Sequence, residues 1–294
     1  MSTTPRSIKR TAPSAVTPQS ERRREIARRI VDQLAAHTDL RAALLAGSAA
    51  VGTADKHSDI DLITYYDGEL PGVATFDAVM RGLGGEPGGL INPPGPDGFG
   101  ARYQIEGIEV QTGPSPIVGI EQRLRRIEAG EVDWITAKVA MGLLEGMPLH
   151  GDELVRSWQK RAAYPESLRR REVEANLGIF PIWEIDEHLG SRDAELFRRQ
   201  MLLDGAFRVI AVLSAANRIY FSTFQFKRAA EHFSRMSLKP DRLAERLDLV
   251  ANAAPSEAAE ELRGLVDETK SIVMAELPDI EVQVSWQPLR GHKS

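Results

Sequence analysis

Apolar positions in the first half of the chain recur with two different periods, which sets short strands among helices. In SERRREIARRIVDQLAAHTD, Ile26, Ile30, Val31 and Leu34 return at helical spacing behind Ser20 and Glu25, so this stretch predicts a helix capped at Ser20. RAALLAGS predicts a short buried strand running into a small-residue turn, and SDIDLITYYDG a second strand of period two. A helix is expected over about 74 to 83. Residues 84 to 100, GGEPGGLINPPGPDGFG, are too rich in Gly and Pro for a helix or a central strand and are expected to form a mobile loop. ARYQIEGIEVQTG predicts a hairpin that turns near Glu106-Gly107.

From about Ser115 the period is helical almost to the end. The predicted helices are IVGIEQRLRRIEAG, VDWITAKVAMGLLEG, DELVRSWQKRAA and stretches over roughly 165 to 189, 192 to 220, 224 to 235 and 255 to 276. No period of about 20 to 50 residues repeats, which excludes a solenoid. The expected architecture is an α/β (α+β) domain over 20–149, a small mixed sheet with helices on one side, followed by an all-α helical bundle over 150–285. Residues 1–19, rich in Ser, Thr and Pro and free of acids, predict a disordered tail, with a second tail over 286–294.

Composition narrows the function classes. The chain has 294 residues, 42% of them hydrophobic, enough to fill two modest cores. A net charge of -5 argues against a broad basic face for nucleic acid. With no cysteine, a disulfide, a thiolate zinc site and a cysteine nucleophile are all excluded, so any metal must sit among oxygens or imidazoles. No apolar run is long enough to span a bilayer and no apolar h-region follows the first Met, so a cytoplasmic protein with no membrane partner is expected. The oligomeric state stays open.

The chemistry-bearing stretch is LLAGSAAVGTADKHSDIDLITYY. Gly47 lets backbone approach a ligand with no Cβ in the way, and Ser48 at a helix start offers a hydroxyl and amides to phosphate oxygens. Side chains alternate along a strand, so Asp59 and Asp61 face one way while Ile60 and Leu62 turn to the core. Two close carboxylates repel unless a cation lies between them, and hard oxygens suit Mg²⁺ with a triphosphate completing its shell. Glu109, between Ile108 and Val110, offers a third carboxylate from a neighbouring strand and a base for an acceptor hydroxyl. Glu106 lies close enough in sequence to compete for that role, with Glu109 favoured. A P-loop is excluded because Thr53 stands where that motif needs lysine.

Gly-Ser followed about ten residues later by Asp-apolar-Asp, with a third acid further on, resembles the nucleotidyltransferase superfamily related to DNA polymerase β, over roughly residues 40 to 112. The resemblance implies that Gly47 and Ser48 hold a nucleoside triphosphate, and that Asp59, Asp61 and Glu109 hold one or two Mg²⁺ ions and carry the catalysis. ANRIYFSTFQFKRAAEHF is similar to a segment in the helical domain of antibiotic nucleotidyltransferases, particularly streptomycin/spectinomycin adenylyltransferases. By that resemblance Lys227 contacts the triphosphate and Arg218 supports the nucleotide. The activity implied is transfer of AMP from ATP to a hydroxyl of a small molecule such as an aminoglycoside-like antibiotic, with release of pyrophosphate and resistance to that antibiotic. Two other readings are a tRNA or protein acceptor and a non-catalytic nucleotide-binding scaffold.

Plainer roles suit the remaining signals. Glu184, Glu187 and His188 have metal-compatible spacing, but no second Glu-x-x-His partners them, so they read as a solvated helix face. The basic runs at 123–126, 169–171 and 198–199 read as exposed helix faces rather than an RNA strip. His57 reads as a loop residue beside the acids, and Trp183, Phe197, Phe207, Tyr220 and Phe221 as bundle packing.

Overall fold

The computed structural model describes residues 15–223 and 226–280. Residues 1–14 of the expected first tail and all of the second lie outside the described residues. The chain divides into two compact units, residues 1–125 with 141–163, and residues 126–140 with 164–294. The position expected for a domain boundary, about residue 150, falls inside the first unit's second segment.

The first unit is built on a six-stranded mixed sheet. Its strands are β1 (Leu40–Ala46), β2 (Ile60–Tyr66), β3 (Glu86–Gly95), β4 (Gly98–Ile105), β5 (Ile108–Pro116) and β6 (Met147–His150), in the order β3-β4-β5-β2-β1-β6. Only β2 and β5 run parallel among the neighbouring pairs. One face is covered by α1 (Pro18–His37) and α3 (Val73–Gly82), where Ile26, Ile30 and Leu34 meet Leu45, Ile60, Leu62 and Phe76 in a dry cluster. Burying such side chains stabilises by about 1.5–3 kcal/mol each. The short α2 (Gly47–Val51) links β1 to the loop before β2.

The opposite face is covered too, which corrects the expectation of helices on one side. The alternation of β1 and β2 puts Leu44 and Tyr65 there, and Tyr65 meets Trp158 of α6 (Asp152–Arg161) edge to face, 4.9 Å between centroids. Burial pushes the Tyr65 hydroxyl up to about 12. Trp158 donates to Glu121 at 2.7 Å, so its one polar atom is satisfied inside the cluster.

Three further details depart from the sequence reading. Thr17, not Ser20, caps α1, accepting from the Ser20 amide at 3.1 Å. The mobile loop expected over 84–100 is the edge strand β3 and the start of β4. An edge strand pairs on one side only, so prolines without an amide proton and the register shifts between Pro87 and Gly95 are tolerated there. The hairpin turn is as expected, Glu106 (φ 54) and Gly107 (φ 76) forming a two-residue left-handed turn between β4 and β5.

The helices that follow are α4 (Ile117–Glu128), α5 (Trp134–Glu145), α7 (Glu166–Asn176), α8 (Ile182–Gly190), α9 (Glu195–Ala216), α10 (Ala229–Ser234), α11 (Leu243–Asn252) and α12 (Pro255–Glu276). The stretch expected as one helix over 165–189 is broken at Leu177–Pro181, where Gly178 and Pro181 interrupt it. The helix α11 was not among those expected. Within the second unit α9 is the central element, with Leu202, Val209 and Leu213 buried against Leu262, Leu265 and Val266 of α12. No helix among the described residues is long and apolar enough to cross a membrane.

His232 is buried among Phe221, Phe226 and Phe233, with Nε2 2.9 Å from the Ser214 hydroxyl. Burial, assisted by nearby Arg235, lowers its pKa to about 4. The folded pKa lies below the unfolded value, so its contribution is complete above about pH 6.5 and is lost as pH falls toward 4. The loss amounts to about 3 kcal/mol. Urea unfolding at pH 7.5 and 5.0 should show this slope, and His232→Gln should flatten it; an unchanged slope in the variant would assign the acid sensitivity elsewhere.

Candidate active site

The polar residues of the first unit gather at one end of the sheet, on the face that also carries Tyr65. Ile60 and Leu62 are fully buried on the α1 face, which turns the half-exposed Asp59 and Asp61 to the other side. Parallel pairing sets Asp61 opposite Gln111, and antiparallel pairing sets Gln111 opposite Arg102 and Glu109 opposite Gln104. Two polar rows therefore cross the three strands.

Gly47 begins α2 where β1 ends, and Ala46 pairs with Asp61. Its φ is +66°, and a Cβ there would stand 2.5 Å from Asp61 Oδ2. The left-handed backbone favours glycine here, and any larger residue would also push the Asp61 carboxylate aside. Ser48 follows in the first turn of α2, half-exposed, its carbonyl accepting from the Gly52 and Thr53 amides.

Asp59 and Glu109 are joined through a residue that sequence reasoning did not assign to the site. Gln111 Nε2 donates to Asp59 Oδ2 at 3.1 Å and to Glu109 Oε1 at 2.8 Å. One amide thereby offsets the repulsion between two carboxylates. Arg102 Nε lies 3.6 Å from Glu109 Oε1 and adds positive charge. Among the described residues no three His, Cys, Asp or Glu side chains are gathered closely enough to hold a metal ion. The acids are hard oxygen donors of the kind Mg²⁺ takes, while the gap between Asp59 and Glu109 is spanned by the Gln111 amide.

Glu106 has a different setting. It sits in the hairpin turn and pairs with Arg22 and with Arg29 at 2.7 Å. The Arg29 hydrogen bond leads in holding its carboxyl below the usual carboxylate range.

The loop carrying the acids is held by the arginines of α1. Arg23, almost fully buried, donates to the Ser58 carbonyl from Nε at 2.8 Å and Nη2 at 2.6 Å. Arg24 donates to the carbonyls of Ala49 and Ala50 at 2.9 and 2.8 Å, satisfying the end of α2. Ser20 Oγ accepts from the Ala54 amide at 2.9 Å. The charge run RRR at 22–24 was the only sequence signal for this, and a charge run alone reads as a solvated helix face.

A polar cleft of about 290 Å³ opens beside Asp59 and Glu109, with Lys56, His57, Gln104 and Ile108 in its walls.

Arg218 and Lys227 belong to the second unit. Arg218 has a φ of +56° just past the end of α9 and pairs with Glu166 at 2.9 Å. Lys227 is exposed ahead of α10. Glu184, Glu187 and His188 lie on α8, and the three basic runs are partly absorbed into structure: Arg126 pairs with Asp133, Arg169 is buried, Arg198 is bound to Asp186, and Arg199 donates to the Ala253 carbonyl.

No protein-family model matches the sequence, and no curated protein does. Among solved structures the chain is similar to a nucleotidyltransferase-like protein from Exiguobacterium sibiricum, at 10% identity and a TM-score of 0.43, over 86% of this chain and 76% of that one.

Proposed function

We propose that the first unit carries a metal-dependent nucleotidyltransferase site that moves a nucleoside monophosphate, AMP from ATP, onto a hydroxyl of a small molecule. The observation that carries this reading is the placement of three carboxylates on one face at one sheet end, Asp61 over Gly47, and Asp59 joined to Glu109 through Gln111. Nothing in folding requires acids to be assembled against their own repulsion beside a glycine with no Cβ.

In this reading Gly47 keeps the backbone clear, and Ser48 with the neighbouring amides donates to non-bridging phosphate oxygens. The acceptor oxygen bonds to the α-phosphorus, the bond from that phosphorus to the bridging oxygen breaks, and pyrophosphate leaves with that oxygen. Glu109 takes the proton of the acceptor hydroxyl. Asp59, Asp61 and Glu109 are the acids that would supply oxygens to Mg²⁺, although as folded they are not gathered closely enough to hold it; bound there, the ion would neutralise phosphate charge and favour the deprotonated acceptor. Gln111, whose amide lies on Asp59 and Glu109, occupies the place that the positive charge would take. Lys227 and Arg218 are assigned to the triphosphate by sequence resemblance alone.

Arg198, Arg199 and Arg169 of the second unit are committed to carboxylates or carbonyls, or buried, which removes three cations from a basic strip for tRNA and favours a small-molecule acceptor to that extent. An aminoglycoside-like antibiotic is the acceptor that the sequence resemblance implies.

The test incubates the purified chain with each α-labelled nucleoside triphosphate, Mg²⁺ and a panel of aminoglycosides, lincosamides, sugar phosphates and total tRNA. Label from ATP on one small-molecule class is the expected result. Absence of Mg²⁺-dependent triphosphate binding in a calorimetric titration would leave only a scaffold.

A further inference from the structure

The three acids stand on backbone that is held in place around them. Asp61 is laddered on both sides, to Ala46 of β1 and to Gln111 of β5, and Glu109 is laddered to Gln104 of β4. The peptide ahead of Asp59 is pinned, because Arg23 sends Nε and Nη2 to the Ser58 carbonyl. Gly47 hems Asp61 in further, since a Cβ there would stand 2.5 Å from Oδ2. Any change in the distances among these carboxylates must therefore come from side-chain torsions. The side chain that lies between two of them is Gln111.

The Gln111 amide faces Asp59 and Glu109 with its nitrogen, because its carbonyl oxygen in that place would add a further negative partial charge. The nitrogen lies 3.1 Å from Asp59 Oδ2 and 2.8 Å from Glu109 Oε1. Mg²⁺ holds its oxygens at about 2.0–2.1 Å, so ion and amide cannot share the place. The nearby cations stand elsewhere. Arg102 Nε is 3.6 Å from Glu109 Oε1, beyond hydrogen-bond reach, while Arg23 directs its donors to the carbonyls of Ser58 and Gln19, and Lys56 is exposed at the cleft wall. An amide is a dipole and cancels neither carboxylate charge; it only lowers their mutual repulsion. The two acids thus keep their attraction for a cation while the space between them is filled.

Resting on the metal-dependent reading above, we infer that Gln111 competes with divalent metal for Asp59 and Glu109 and thereby sets the metal affinity of the site. An entering ion must displace two hydrogen bonds to charged acceptors, which are stronger than neutral ones. The half-exposed Gln111 side chain has solvent to turn into when it leaves. A glutamate at the same position, equal in length, would act as a further ligand instead of a competitor.

Mn²⁺, which takes the same oxygen ligands as Mg²⁺, tests this on the full chain without nucleotide, with free ion read by electron paramagnetic resonance. Wild type is compared with Gln111→Ala and Gln111→Glu, each checked for folding by far-UV circular dichroism. Gln111→Ala should bind Mn²⁺ at least about tenfold tighter than wild type, which is less than the net value of the two hydrogen bonds removed. Gln111→Glu should bind tighter still, and its melting temperature, lowered in EDTA by the added acid, should return to the wild-type value with Mn²⁺. The inference is overturned if Gln111→Ala binds no tighter than wild type, or binds more weakly, which would make the Gln111 carbonyl a ligand. It is overturned equally if only Gln111→Glu gains affinity, since the added carboxylate and not the lost amide would then be the cause. In each of these cases Mn²⁺ still binds and the broader reading stands. Absence of Mn²⁺ binding in all three proteins would remove the competition and the metal-dependent reading together.

Discussion

Asp61→Ala is expected to lower nucleotidyl transfer by on the order of 10³-fold, since a metal-bound carboxylate supplies several kcal/mol of transition-state charge stabilisation and each 1.36 kcal/mol is about tenfold in rate. Its effect on folding should be small, because Asp61 is half-exposed at a strand end beside other acids, where loss of a like charge is neutral or favourable. Asp59→Ala should behave the same way. Gly47→Ala should follow the same direction by a different route, since its Cβ would meet Asp61 Oδ2 at 2.5 Å in a left-handed backbone, displacing the carboxylate without removing it. Initial rates with α-labelled ATP, beside urea midpoints of the same preparations, separate these effects. Turnover within tenfold of wild type in Asp61→Ala would remove Asp61 from the chemistry.

The second large effect concerns stability. Arg198→Ala should destabilise the protein by about 3–5 kcal/mol, the range for removing one partner of a buried ion pair. The guanidinium grips both oxygens of Asp186, Nε at 2.7 Å and Nη2 at 2.8 Å, while Ser256 donates to the same carboxylate at 2.6 Å. Both partners are nearly fully buried, and the contacts tie α8, α9 and α12 together. Arg198 and Ser256 hold the Asp186 carboxyl below its usual range, so truncation of Arg198 leaves a buried anion that must then be protonated or hydrated. Arg198→Lys should recover only part of the loss, because one ammonium cannot replace the two-pronged contact. Equilibrium urea unfolding followed by far-UV circular dichroism measures this. A change below about 1 kcal/mol in Arg198→Ala would show that the pair contributes no more than an exposed one.

Local pattern made much of the fold legible. The strands β1 and β2 follow from the apolar runs around Leu44 and Ile60, the hairpin from Glu106-Gly107, and α9 and α12 from sustained helical spacing. The failures have physical causes. Residues 84 to 100 read as a loop because Gly and Pro disfavour a central strand, whereas β3 lies at an edge and needs half as many backbone bonds. The span 165 to 189 read as one helix because its apolar spacing continues across Gly178 and Pro181, where the backbone breaks.

The residue types of the candidate site were determined by the sequence alone. Gly47-Ser48 ahead of Asp59-Ile60-Asp61 needs only strand alternation to set both acids on one face, and alternation is a local property. What only the tertiary structure decided is which distant residues meet them. Parallel pairing of β2 with β5 carries Gln111 between Asp59 and Glu109, while the hairpin turn carries Glu106 to the arginines of α1. The buried Arg23 holding Ser58 arises the same way. Strand register and the packing of α1 depend on contacts tens of residues apart, and no local period encodes those.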